Sequence, residues 1–272
     1  MVGAGPGHVT DPAAEVAGEL PGWVSLVRAP NPGPMTLEGT NTWVLRAPDA
    51  EFGVVVDPGP ADEAHLAAVA AHAPIGLLLV THGHPDHVAG AERLAELLGG
   101  PPVRTVPPDA PVTAAGLRIT AVATPGHTAD SVCFEVACGG QTVVLTGDTI
   151  LGRGTAVVAW PDGDLGDYLA SLLRLSAYDG VLALPGHGPA LADCAAAARF
   201  YLSHRRARLE QVRAAVAGGV VTPAEVVRVV YADVDPALWA AAEWSVRAQL
   251  VFLTSRAAGR EAGRGVDGLD KP

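Results

Sequence analysis

The segment Thr81-His-Gly-His-Pro-Asp-His87 places three imidazoles and a carboxylate within six positions, directly after the apolar run Ile75 to Val80. Only 9 of the 272 residues are histidine, so this density is concentrated at one strand end. Imidazole and carboxylate at such spacing are metal ligands. Alternate residues His82 and His84 can converge on one ion. Asp86 and His87, at the turn into the next helix, aim at a neighbouring point. Four donors on one short loop therefore predict two metals.

Three single residues occupy comparable strand-end positions. These are His127 in Thr124-Pro-Gly-His-Thr128, Asp148 in Thr146-Gly-Asp-Thr149, and His187 in Pro185-Gly-His-Gly188. Each is flanked by glycine, which permits close backbone approach around a buried group. Taken singly, such a histidine is usually a hydrogen-bonded structural residue and a Gly-Asp pair a turn. Beside a loop with too few ligands to close two sites, they complete the set. The expected assignment gives His82, His84 and His127 to one ion and Asp86, His87 and His187 to the other, with Asp148 bridging. Five histidines and two aspartates without thiolate suit a pair of zinc ions and also allow Fe or Mn. Asp57, ending the strand Val54-Val-Val-Asp57, could hold a ligand imidazole or the metal loop from outside the ligand set. A turn-forming Asp before Pro58 would need no such role. His8, His65 and His72 read as tail or helix-surface residues.

These ligands require a scaffold that gathers strand ends. Thr42 to Leu45 and Phe52 to Val56 read as a hairpin, Asp62 to His72 as a helix, and Ile75 to Val80 as a buried strand. Ala89 to Leu98 is a helix stopped by Gly99 and Gly100. Strands follow at Val103 to Val106, Leu117 to Ala123, Ser131 to Val136 and Thr142 to Thr146, the last pair turned by Gly139-Gly140. Ala156 to Val158 is a further expected strand, Leu165 to Leu175 an amphipathic helix, and Val181 to Leu184 another strand. This order implies α/β architecture, an α/β/β/α sandwich. Leu191 to Val216 reads as one long helical segment. Thr222-Pro-Ala-Glu225 has capping-box form, and Asp235-Pro236 opens another helix. The expected organisation is a flexible tail over 1–20, a catalytic domain over 21–198, a small helical domain over 199–258, and a second flexible tail over 259–272.

A net charge of -11 argues against indiscriminate nucleic-acid binding, which depends on many Lys and Arg neutralising phosphates. Lysine occurs only at Lys271. Three cysteines, Cys133, Cys138 and Cys194, form neither a metal spacing nor a disulfide framework, and their odd number fits a reducing compartment, so the cytoplasm is expected. The first twenty residues lack the basic start and apolar core of a signal peptide. The longest apolar segment, Ile75 to Val80, falls far short of the roughly 18 residues of a membrane span, so no membrane association is expected.

The order Asp57, His82-x-His84-x-Asp86-His87, His127, Asp148, His187 resembles the metallo-β-lactamase superfamily over residues 41–188. That resemblance implies an αββα sandwich with two metals at its edge, ligated as assigned above. Its members cleave lactams, thioesters and phosphodiesters, so the fold leaves the substrate open. A narrower resemblance lies in Asn31-Pro-Gly-Pro-Met-Thr-Leu-Glu-Gly-Thr-Asn-Thr-Trp43, Pro185-Gly-His-Gly-Pro189 and Tyr201-Leu-Ser-His-Arg205. Together these are similar to the β-lactamase-like protein 2 family, which carries a C-terminal winged-helix-like domain and includes single-strand endoribonucleases. The chain departs from that pattern in having few β-wing residues, and few basic groups beyond Arg199, Arg205, Arg206, Arg208 and Arg213.

The expected reaction is hydrolysis. Two adjacent metals would generate a bridging hydroxide that attacks a phosphorus or carbonyl centre, with Asp86 and Asp148 fixing the ions and accepting the proton. For single-stranded RNA, Thr40, Asn41, His204 and Arg205 would approach the scissile group, arginine matching phosphate oxygens in pairs. A solvated helix face is the simpler account of Arg205. The alternative substrate is a small-molecule thioester or lactone, as in a glyoxalase II-like hydrolase. A third class is a nucleic-acid-binding or interaction module with structural metals. Structural zinc sites close with four protein ligands, whereas this set leaves room for water.

Overall fold

Runs of alternating and continuous aliphatic residues build ten short strands, and the computed structural model describes residues 20–104, 106 and 108–266, with side chains as far as 255. Strands β1 (Val24–Arg28), β2 (Asn41–Leu45), β3 (Gly53–Val56), β4 (Ile75–Leu79) and β5 (Val103–Arg104) form one sheet in that order. Strands β6 (Val112–Ala114), β7 (Leu117–Ala123), β8 (Val132–Cys138), β9 (Gln141–Gly147) and β10 (Leu182–Pro185) form the second, in the order β10-β9-β8-β7-β6. The helices are α1 (Glu63–Ala70), α2 (Pro85–Val88), α3 (Ala91–Leu97), α4 (Leu165–Leu175), α5 (Cys194–Ala217), α6 (Pro223–Val230) and α7 (Trp239–Val266).

Side-chain alternation along the strands decides the layers. Trp43, Leu45, Val54, Val56, Leu77 and Leu79 face inward from the first sheet and meet Leu117, Ile119, Phe134, Val136, Leu145 and Leu184 of the second. The opposite face of the first sheet, with Val44, Val55 and Leu78, is covered by Leu66 and Val69 of α1 and Leu94 of α3. The outer face of the second sheet packs Cys133, Val144 and Ala183 against Tyr168 and Leu172 of α4 and Ala198 and Tyr201 of α5. The result is the expected αββα sandwich. β3–β4 and β9–β10 pair in parallel, so helices must cross between their ends, and the loops carrying the histidines emerge along one edge.

Beyond the sandwich the described residues are helical. Thr222 caps α6 in a complete capping box with Glu225. Val226, Val227 and Val230 of α6 meet Val212 of α5 and Ala242 and Val246 of α7 in a small core of their own. The expected domain boundary at 198/199 falls inside α5, a continuous helix whose first half belongs to the sandwich core. Helix α7 runs on to Val266, past the expected end of the helical domain at 258. The expected N-terminal tail lies outside the described residues except for Leu20, as do 267–272.

Two strands and one loop depart from the sequence expectation. β1 and β6 are edge strands of mixed polarity, held by antiparallel pairing to β2 and β7. Ala156 to Val158 is irregular because its polar backbone groups are engaged elsewhere: Arg205 donates to the Ala156 carbonyl, His127 to that of Val157, and the Val158 amide to Ser245 Oγ. All three cysteines are buried and free. No helix of the described residues is long and apolar enough to cross a membrane.

Candidate metal centre

The loop Thr81–His87 leaves β4 and turns directly into α2, whose N1 position is Pro85. Pro fits there because the first helical N–H has no intrahelical partner. The turn places His82 and His84 on one side and Asp86 and His87 on the other. Asp57, at the end of β3, adopts a left-handed backbone with φ of 55° and is buried. Its Oδ1 accepts from the Thr81 amide at 2.7 Å, and its Oδ2 accepts from the Thr81 hydroxyl at 2.8 Å and faces His87 Nδ1 at 2.9 Å. The adjacent strand end thus anchors the loop and one of its rings.

The other three strand ends deliver one residue each. His127 donates from Nδ1 to the Val157 carbonyl at 2.6 Å, leaving Nε2 to face His84 Nδ1 at 3.1 Å. His82 Nε2 lies 3.0 Å from the same His84 nitrogen. On the other side, His187 Nε2 is 3.3 Å from His87 Nε2 and 3.2 Å from Asp86 Oδ2. Asp148 stands between the groups, Oδ1 at 3.4 Å from His87 Nε2 and Oδ2 at 3.7 Å from His127 Nε2. Close approach depends on Gly186, where a Cβ would lie 2.6 Å from both Asp148 Oδ1 and His87 Cε1.

This donor set fits divalent metal. Donors held about 2 Å from one tetrahedral ion lie about 3.3 Å apart, the range of the separations above. His82, His84, His127 and Asp148 form one group able to hold an ion, and Asp86, His87 and His187 a second. Asp148 Oδ1 is buried without a hydrogen-bond partner, as a ligand atom would be. Burial, reinforced by the neighbouring His87, pushes His82 down to about 2, so its imidazole stays neutral and its lone pair available. Burial would also lower His187, but Asp148 and Asp86 outweigh it and lift that ring to about 10. In the same way burial would lower His87, but Asp148 and Asp57 outweigh it and raise that ring. The carboxylates thus set up a field that attracts positive charge to this point.

The four residues expected to meet substrate fare differently. Thr40 and Asn41 are wholly buried. Asn41 donates to the carbonyls of Pro185 and Gly188 and so supports the His187 loop, while Thr40 pairs with Asn31 and reaches Asp86 Oδ2 at 3.4 Å. Arg205 is only 3% exposed, its guanidinium on the Ala156 carbonyl and over the Tyr168 ring. The expected solvated helix face is therefore corrected: Arg205 ties α5 to the loop behind His127. His204 and Arg205 both line a cavity of about 290 Å³ that opens beside His127 and Asp148 and runs to α7. Sequence reasoning missed the other walls, including Leu37, Leu151, Val157, Tyr231, Leu238 and Ala241, because nothing local in the chain joins positions so far apart.

The metallo-beta-lactamase superfamily model matches residues 35–114 and 97–187, and the beta-lactamase associated winged helix domain model matches 222–256. Beta-lactamase-like protein 2 homolog of Drosophila melanogaster is 32% identical over 82% of this chain and 85% of its own. Atrochrysone carboxyl ACP thioesterase of Aspergillus fumigatus is 30% identical over 74% of this chain and 71% of its own. The crystal structure of a beta-lactamase domain protein from Burkholderia ambifaria superposes with a TM-score of 0.71 at 22% identity, covering 87% of this chain and 88% of that one. That the strand-end histidines, the sandwich and the C-terminal helices all fall within these matches has one explanation, which is that the chain belongs to the metallo-beta-lactamase superfamily.

Proposed function

We propose that the protein is a dinuclear zinc hydrolase of acyl thioesters or related esters. His82, His84 and His127 would hold one ion, Asp86, His87 and His187 the other, and Asp148 would join both. Ions so held would supply Lewis acidity and a water of near-neutral pKa. The chain's own residues do the rest. Asp57 and the Val157 carbonyl would each accept a hydrogen bond from an Nδ1–H, fixing the tautomers of His87 and His127 so that the Nε2 lone pairs are free for metal. Asp86 is the more exposed of the two site carboxylates, at 27% against 11% for Asp148, and would receive the proton a water loses on adding to the carbonyl carbon.

One observation carries the choice of substrate: each of the three arginines lining the adjoining cavity already has a protein partner. Arg153 pairs with Glu38, Arg208 with Asp233, and Arg205 with the Ala156 carbonyl. An RNA phosphodiester calls for free arginine forks and a cationic track. A neutral carbonyl flanked by apolar atoms needs neither. The relative named as a thioesterase supports the same reading.

The test is a substrate panel for zinc-loaded protein: an N-acetylcysteamine thioester, a lactone, a β-lactam and single-stranded RNA, with Asp86→Ala as control. Thioester turnover that falls at least a hundredfold in Asp86→Ala is expected. RNA cleavage lost in Asp86→Ala, with no thioester turnover, would replace this reading with the nuclease one.

A further inference from the structure

The cavity beside His127 and Asp148 has two walls from distant parts of the chain. Leu37, Leu151 and Val157 form one side, and Leu238, in the turn just before α7, with Ala241 and Ala242 of its first turn, forms the other. We propose that this cavity is an acyl-specificity pocket, which receives a compact apolar acyl group and whose depth is set by the C-terminal helices. The proposal rests on the thioesterase reading above and adds to it the class of acyl group and the segment that selects it.

Position gives the first support. His127 and Asp148 belong both to the candidate metal centre and to the cavity lining, so a carbonyl at the centre directs one of its substituents into the cavity. Chemistry gives the second. Several polar residues of the lining are turned to protein partners: Ser245 Oγ accepts from the Val158 amide, Tyr231 shares a hydrogen bond with Gln249, and Arg208 lies over the Tyr231 ring and on Asp233, while His204 Nδ1 and Arg205 Nε are buried with no hydrogen-bond partner. His204 is held neutral, pushed down to about 4 by burial and by Arg205 and Arg208. What remains facing the space is largely aliphatic, a lining that favours an uncharged apolar group.

Size gives the third. The volume of about 290 Å³ lies at the small end of ligand sites, which run from about 300 to 1,000 Å³. That admits a short, branched or single-ring acyl group and rejects a long chain. The reaction balances as hydrolysis: water forms the new C–O bond, the C–S bond breaks, and the water's proton passes by way of Asp86 to the departing thiolate, giving acid and thiol.

The experiment measures kcat/KM for N-acetylcysteamine thioesters of increasing acyl size, from acetyl through butyryl and benzoyl to dodecanoyl, on zinc-loaded protein. In parallel, calorimetry records binding of the matching non-hydrolysable thioether analogues to metal-free protein. Each methylene that enters the pocket is expected to raise kcat/KM about fourfold, from about 0.8 kcal/mol per buried CH₂, with a decline at dodecanoyl. Ala241→Leu should lower the benzoyl-to-acetyl ratio at least tenfold, and Leu238→Ala should move the optimum to a larger group. Val229→Ala, at a position 61% exposed on α6 and outside the cavity, serves as control and should keep the wild-type ratio. Thioester hydrolysis that is indifferent to acyl size, or a ratio unchanged within twofold in both pocket variants, overturns the pocket and leaves the thioesterase reading standing. If no thioester is cleaved while analogue binding still follows size and shifts in both variants, the pocket stands and the thioesterase reading falls. Absence of both overturns both.

Discussion

Asp57→Asn isolates what one buried carboxylate does for the metal centre. The variant keeps shape, and Oδ1 still accepts the Thr81 amide, now 2.7 Å away. An NH₂ then replaces Oδ2, which lies 2.8 Å from the Thr81 hydroxyl and 2.9 Å from His87 Nδ1. The hydroxyl can turn and accept, but the ring cannot keep a proton on Nδ1 against an N–H. His87 must carry its proton on Nε2 instead, the atom 3.3 Å from His187 Nε2 and 3.4 Å from Asp86 Oδ2. A protonated Nε2 donates a hydrogen bond to the carboxylates and no longer binds metal.

Loss of such an orienting partner typically costs 10- to 100-fold in metal affinity, or about 1.4–2.7 kcal/mol. In metal-free protein the new Nε2–H finds Asp86 or Asp148, so most of the charge-assisted bond worth about 1.5–3 kcal/mol is replaced. The expected outcome is therefore asymmetric: zinc affinity at the site of Asp86, His87 and His187 falls 10- to 100-fold while the metal-free melting temperature moves little. Competition with a chromophoric chelator measures the first, thermal denaturation in chelator the second, and imidazole ¹⁵N shifts the tautomer. Zinc affinity within twofold of wild type would refute the tautomer reasoning, as would equal destabilisation with and without metal.

Gly186→Ala should abolish loading of the second ion, because the new methyl would sit 2.6 Å from Asp148 Oδ1 and His87 Cε1; metal analysis giving two ions per chain would contradict this. Thr222→Ala removes the N-cap of α6 and should destabilise the helical region by about 1 kcal/mol, read as faster hydrogen exchange in 223–230 with sandwich exchange unchanged. His204 has its folded value depressed to about 4 against an unfolded value near 6.5, so its neutral form is favoured on folding and stability is lost as pH falls from about 6.5 towards 4. His204→Gln should lose less stability than wild type across that window, and parallel denaturation curves at pH 7 and pH 4.5 would show the histidine to be uninvolved.

Much of the site was legible because its signals are local. Thr81-His-Gly-His-Pro-Asp-His87 declares metal chemistry within one loop, and the glycine-flanked His127, Asp148 and His187 gain meaning from it. Helix α4 and strand β7 have the bounds read from periodicity, since each shows a full amphipathic repeat. The edge strands β1 and β6 escaped notice for the converse reason: their pairing partners, not their own residues, make them strands. Ala156 to Val158 looked like a strand from composition, yet His127, Arg205 and Ser245 take its backbone groups, and none of these is a sequence neighbour.

Residue type and local spacing account for the side chains that could bind metal, the sandwich that must present them and the capped helices that follow. Those properties arise from neighbours a few positions apart, where residue type and spacing decide geometry. Tertiary structure alone decided that Asn41 supports the His187 loop, that Arg205 is a buried tie, and that α7 closes a cavity over His127 and Asp148. Each depends on segments dozens of residues apart, brought together by packing of two sheets and their covering helices, and no local pattern records which of them will meet.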